Sequence, residues 1–377
     1  MNETTRPRPY ARGTLLAVTA AVAFGLTVPI VGWAGTARGL GGAGLGPFTV
    51  ASLLYVGAAL TGFVAWLLPR LGAGAGKRLA PGLSLRPVFG RVVLVALLGA
   101  AIGPTLLAAG TVLTGATTGS LVLHLEGPFT FLLAVIFLHE PLSRHALLGT
   151  LAMVAGGILL LLDRADASTA ELLGVVLVIG ATVAWAADNT LSRALSERPP
   201  FLVVLAKASL GALATCTLAL TFAEPAPDLL PVLVVLAAGA TGYGLSLVLF
   251  LLAQRAIGAA RTSALFALGP FVGATLGIVI AGEVPGAVVF VAAGLFALGL
   301  VLHMREAHQH AHEHARERHA HWHRHDDDHH LHAHVLGDGS PVLDRRRGHV
   351  HEHTHEATTH AHAHAPDLHH RHRHGAS

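Results

Sequence analysis

What most restricts this chain is the recurrence of apolar runs too long for an ordinary soluble helix. A hydrocarbon layer about 30 Å thick is crossed by about 20 apolar residues in helical form. A window of roughly 19 residues finds ten such runs, at 13–34, 47–68, 92–110, 116–138, 145–162, 171–193, 201–222, 230–252, 260–282 and 285–303. The third and fifth are short. Almost none carries the polar outer face that a helix in water needs. Composition agrees: 12% of residues are charged, against about 25% in soluble domains. These observations exclude a water-soluble core and predict an all-α integral membrane protein with ten transmembrane helices. The first run is longer than the apolar part of a cleaved leader and no cleavage site follows it, so it reads as a span. Cys216, the one cysteine, excludes an internal disulfide or thiolate cluster.

The basic residues set an orientation. If the N-terminus is cytoplasmic, the inner segments hold Arg6, Arg8, Arg12, Arg70, Lys77, Arg78, Arg86, Arg91, Arg144, Arg193, Arg198, Arg255 and Arg261. The outer loops hold Arg38 and Arg164. Thirteen against two is a positive-inside bias. Ten spans return the chain to the side it started from, so both termini are expected in the cytoplasm and the protein in the plasma (inner) membrane.

The chain is also written twice. "LEGPFTFLLAVIFLHE" (125–140) is echoed by "ALGPFVGATLGIVIAGE" (267–283), with Gly-Pro-Phe at 127–129 and 269–271 and a closing acid at Glu140 and Glu283. Upstream, "VAFGLTVPI" (22–30) aligns loosely with "VAWAADNTL" (183–191). Five spans per half is an odd number, so the halves must enter the membrane from opposite sides. Inverted repeats of this kind place binding sites near the midplane, where the repeats meet.

Residues 115–162 and 258–302, with their mid-helix Gly-Pro-Phe, closing acid and Gly-rich last helix, resemble the EamA family of the drug/metabolite transporter superfamily. The resemblance covers about 13–303 and departs from the family pattern at His139, where glycine usually precedes the acid. It implies two five-helix repeats around a central cavity between helices one to four and six to nine, with the fifth and tenth outside. The organisation expected is a cytoplasmic N-terminus (1–12), a first repeat (13–162), a second repeat (171–303) and a tail (304–377).

Polar residues inside the spans are the candidates for chemistry. Glu126 lies about ten residues into the fourth span, so about 15 Å deep. A carboxylate there costs at least about 2.5–3.5 kcal/mol on insertion scales unless it meets water or a partner. Pro128 removes a backbone donor and crowds the preceding turn, so a bend is expected beside the charge. Glu126 either meets substrate or a proton, or locks two helices through hydrogen bonds. Pro270 repeats the bend in the ninth span, with Leu268 where Glu126 stands. Asp188 and Asn189 in the sixth span and Lys207 in the seventh lie about 7–9 Å from one membrane face. An Asp188–Lys207 ion pair would lower the cost of burying each charge, for structure or for gating. Tyr243 and Ser246 share a Gly-lined helical face and could serve a substrate or one another. His124 sits about 200° around the helix from Glu126, which argues against a metal pair within the span.

Composition changes after Val301: from His303 to the end lie 24 of the chain's 27 histidines. With so few apolar residues the tail is expected to be disordered, or at most a frayed extension of the tenth helix. Imidazole is the commonest nitrogen ligand for zinc and its neighbours. If the tail is helical, His308/His312, His310/His314, His319/His323 and His321/His325 pair on one face; if extended, alternation lines them along one side. His329 and His330 complete the candidate metal set, with zinc, nickel or cobalt as the ion.

Three functions compete. One is a secondary permease moving a small organic solute, outward by preference, by alternating access, with Glu126 as proton carrier. A second is a divalent-metal transporter loaded or sensed by the tail, and a third a metal-buffering membrane sensor without transport. No GxxxxGK[ST] loop occurs, so coupling must come from a gradient or exchange. No hydrolase triad or redox motif appears, and the arginines are not interleaved with aromatics. An enzyme and a nucleic-acid binder are therefore not expected, and no cofactor is required. The expected partners are the solute, membrane lipids and divalent ions, with a homodimer left open.

Overall fold

The computed structural model describes residues 9–36, 44–71, 85–138, 143–192, 195, 200–257, 259–280, 282–304, 309–314, 317–323, 349–355 and 358–363. Among these are ten helices long and apolar enough to cross a membrane: Ala11–Thr36, Pro47–Leu67, Phe89–Thr114, Ala116–Phe137, Arg144–Ala167, Thr169–Ser192, Leu202–Thr221, Leu229–Gln254, Arg261–Val279 and Ala287–Met304. The third and fifth, short in the sequence reading, run to 26 and 24 residues. Their ends carry Arg91 and Asp163 with Arg164, which a hydropathy window rejects but a helix tolerates at an interface. The face reached by the end of the first span is called distal below, and the opposite one proximal.

The halves interlock. The second span packs on the seventh, the fourth on the ninth and the fifth on the tenth, each helix against its own counterpart. The first packs on the eighth as the sixth packs on the third, and the first on the ninth as the sixth on the fourth. Neither half has a core of its own, because every principal interface crosses between them. Small residues make this possible, since dispersion and close approach replace the hydrophobic effect between helices in lipid. A Cβ at Gly57 would strike the backbone around Leu236–Ala240, and one at Gly110 the carbonyl of Gly174.

Five spans are interrupted, four of them at matching places. The fourth is helical over Ala116–Val122, tightens to a 3₁₀ turn at Leu123–Leu125 and resumes at Glu126–Leu138. The ninth breaks between Ala259–Phe266 and Gly269–Val279. In each, the proline ring lacks an N–H and clashes with the carbonyl four residues back, at His124 or Phe266, so the preceding turn cannot stay α-helical. The third and eighth spans each contain a π-helical turn, Leu97–Ile102 and Gly239–Leu245. The first span breaks at Leu26, between Pro9–Gly25 and Thr27–Thr36, whereas its counterpart Thr169–Ser192 is continuous.

The described residues of the tail form four strands, β1 (Gln309–His314), β2 (Glu317–His323), β3 (His349–His355) and β4 (Thr358–Ala363). β1 pairs antiparallel with β4 and β2 with β3. These described segments are extended, the second of the two arrangements that the histidine spacing allows. Alternation of period two suits a strand and not a helix.

Candidate functional site

Polar groups from both halves gather where the third, fourth, sixth and seventh spans meet. Lys207 Nζ donates to Asp188 Oδ2, and Ser192 Oγ donates to Asp188 Oδ1 at 3.1 Å. Asp188 is 2% exposed, while a fifth of the Lys207 side chain stays accessible. The pair rests against Gly99, where a Cβ would run into both charges. One residue on, Asn189 Nδ2 donates to Glu126 Oε1 at 2.6 Å, joining the sixth span to the fourth. Glu126 is half-buried and Gly127 beside it is exposed. Asp188 thus has a cationic partner, whereas Glu126 has a neutral one, and the cluster as a whole keeps one uncompensated carboxylate.

The π-turn of the third span supplies the frame. Such a turn releases carbonyls from the regular ladder, and that of Gly99 accepts from Tyr55 Oη at 2.6 Å and from Trp185 Nε1 at 2.9 Å. Three spans are pinned to one backbone atom just above the ion pair. The Tyr55 ring packs against Tyr243 at 5.3 Å between centroids, and Tyr243 against Phe24 at 5.9 Å. The Tyr243 hydroxyl is buried and has no partner among the described residues.

The sequence candidates divide accordingly. Glu126, Asn189, Asp188 and Lys207 come together, and Tyr243 joins them through Tyr55. Ser246 does not: its hydroxyl donates to the carbonyl of Ala20 at 2.9 Å and ties the eighth span to the first. Pro128 and Pro270 are buried and act on backbone shape. His124 is 5% exposed and packs between Phe271 and Phe296, apart from Glu126. In the tail, His310, His312 and His314 lie on β1 and His319, His321 and His323 on β2. His308, His325, His329, His330 and Glu140 lie outside the described residues. Among the described residues of the ten spans, no group of three or more His, Cys, Asp or Glu could hold a metal ion.

Sequence reading missed Tyr55, Trp185 and two glutamates. Trp185 offered a signal, an indole N–H well inside a span instead of at its end; Tyr55 offered none. Glu283 accepts from Ala116 N at 2.7 Å and Thr117 N at 2.8 Å, capping the fourth span from the loop after the ninth. Glu224 does the same for the second span, accepting from Phe48 N at 3.0 Å and Thr49 N at 2.7 Å. Each carboxylate meets N–H groups that have no partner within their helix.

A cavity of about 840 Å³ lies at the distal end, lined by Trp33, Thr111, Thr114, Arg164, Glu171 and Glu283 among others. It reaches inward to Leu26 and Thr118 and is lined by none of the eight candidates within the spans. Glu126 stands eight residues beyond Thr118, about 12 Å further along the fourth span. Leucines fill part of that interval, with Leu121 and Leu123 both buried. Arg164 closes one side, paired with Asp163 at 3.0 Å and Glu171 at 2.8 Å.

A model of the EamA-like transporter family matches residues 11–162 and 172–305. A curated protein of Methanothermobacter thermautotrophicus, described as an uncharacterized transporter, is 30% identical over 200 residues. That match covers 51% of this chain and 57% of the relative, so the chain spans little more than half of that relative's length. A crystal structure at 22% identity superimposes with a TM-score of 0.51 over 77% of this chain and 97% of its own, which shows a common fold.

Proposed function

The chain belongs to the EamA-like transporter family, and from that premise we propose that it is a secondary permease carrying a small organic solute outward by alternating access. The observation that carries this reading is the cluster of Glu126, Asn189, Asp188 and Lys207, built by both halves beyond the floor of the distal cavity. Solute entering from the proximal side meets this cluster; solute leaving passes through the cavity. The two states differ by rocking one half against the other, with the interrupted fourth and ninth spans as the moving pair.

Glu126 is the proton carrier in this scheme. Its partner Asn189 can donate to a carboxylate through its amide N–H, or accept from a carboxylic acid after the amide turns over. Both protonation states can therefore be held without a cation. The Asp188–Lys207 pair is already neutralised and positions the sixth and seventh spans. Inner-membrane location with both termini cytoplasmic rests on the thirteen-to-two distribution of basic residues.

The test is Glu126→Gln in reconstituted vesicles. Proton-driven transport should be lost while solute counterflow exchange persists, because exchange needs no net proton movement. Gradient-driven transport at the normal rate removes Glu126 from the mechanism.

A further inference from the structure

The tail is not used by the transport scheme, yet its backbone pairing is selective. Along β1/β4, His310 stands opposite His362 and His312 opposite His360. Along β2/β3, His319 stands opposite His353, His321 opposite His351 and His323 opposite His349. Histidine alternates with other residues in all these strands, so a slip of one residue would set each of these histidines against a non-histidine. Residues opposed in an antiparallel pair share a face, as do residues two apart on one strand. Each strand pair therefore places its facing histidines on one side of the ribbon, and the intervening Ala311/Ala361 and Trp322/Val350 positions on the other.

From this juxtaposition we propose that the two arms of the tail, β1 with β2 and β3 with β4, form together a binding site for a divalent transition-metal ion such as zinc or nickel. Opposed positions have Cβ atoms about 4.5–5.5 Å apart, and same-face neighbours along a strand are about 6.8 Å apart. Two successive His–His rungs thus offer four imidazoles, the number a tetrahedral zinc takes. The first strand pair has two such rungs and the second has three. The second arm supplies half of every rung, through His349, His351, His353, His360 and His362. A two-stranded ribbon is marginally stable in water, so metal binding and ribbon closure are one event. The site is independent of which solute the spans carry.

The experiment uses full-length protein in nanodiscs, with Zn²⁺ and Ni²⁺ as probes and calorimetry as the readout. In one variant each rung histidine of β3 and β4 changes places with its neighbour: His349→Val with Val350→His, His351→Glu with Glu352→His, His353→Thr with Thr354→His, His360→Ala with Ala361→His, and His362→Ala with Ala363→His. Composition is unchanged while all five rungs are lost, and the tightest Kd should rise at least about tenfold. Removing three histidines that belong to none of the described rungs, by His369→Ala, His370→Ala and His372→Ala, should leave that Kd unchanged. Separately, pyrene labels at Ala311→Cys and Ala361→Cys, in a Cys216→Ser background, should give excimer emission when Zn²⁺ is added. Equal affinity of the exchanged variant and the parent protein overturns the proposal in favour of diffuse polyhistidine chelation. Absence of tight metal binding by the parent protein, or of excimer emission with Zn²⁺, overturns it as well.

Discussion

The fourth and ninth spans share one backbone design and differ in chemistry. Both break one turn before a Gly-Pro, at Leu123–Leu125 and between Phe266 and Gly269. At the first break Glu126 meets Asn189; at the second the aligned positions are Leu268 and, in the first span, Val28. The neighbouring Asp188 and Trp185 align likewise with Thr27 and Phe24. Both copies carry the hinge, whereas the carboxylates and the amide stand in only one. The reason is energetic: a kink costs little in either half, because proline enforces it locally, but each membrane carboxylate carries an insertion penalty. Two equivalent carboxylates would double that penalty and repel one another near the midplane.

The largest expected effect follows from this asymmetry. Glu126→Leu, which makes the two breaks alike, should lower proton-driven transport by about 100-fold or more. Adding Leu268→Glu should not restore it, because the second break has no amide at position 28; a flux assay on both variants decides this. Restored transport would show that the hinge, and not the half it belongs to, determines the proton site.

Next in size is the ion pair, which also has no counterpart in the first span. Asp188→Asn leaves Lys207 without its charge partner and should cost about 3 kcal/mol, the low end for a broken buried pair because Lys207 is partly exposed. Exchanging the two charges, Asp188→Lys with Lys207→Asp, should recover much of the stability lost in either single change. Thermal unfolding in detergent measures both; single variants as stable as the parent chain would show that no obligatory pair exists.

A third comparison sets the two π-turns side by side. Gly99 in the third span accepts from two side chains, so Trp185→Phe or Tyr55→Phe alone should cost about 1 kcal/mol or less. Together they leave a buried carbonyl without its side-chain donors and should cost more than the sum of the singles. Additive losses would mean that the carbonyl finds another donor.

The smallest effect concerns the capping glutamates. Glu283→Gln and Glu224→Gln keep an acceptor but lose its charge, and each should lower stability by about 1 kcal/mol. Glu283 also borders the distal cavity, which Glu224 does not, so only Glu283→Gln should alter transport as well as melting temperature. Equal effects on transport would make both caps purely structural.

Much of this was legible in the residues. Span number, the two breaks and the odd-numbered duplication follow from apolar length and from Gly-Pro placement, because lipid and proline act on the chain locally. Even the Asp188–Lys207 contact could be read from depth along two successive helices. What the sequence did not determine is everything that depends on helix rotation and on distant packing. Nothing local tells Asn189 to face Glu126, or Tyr55 and Trp185 to converge on Gly99. The cavity likewise lies distal to Glu126, since its position depends on how closely the leucines between them pack. In the tail, alternation marked a strand as well as a chelator, but only pairing revealed which arm faces which. Local forces set the elements of this protein, and the partners of its polar groups were decided only when the two halves closed on each other.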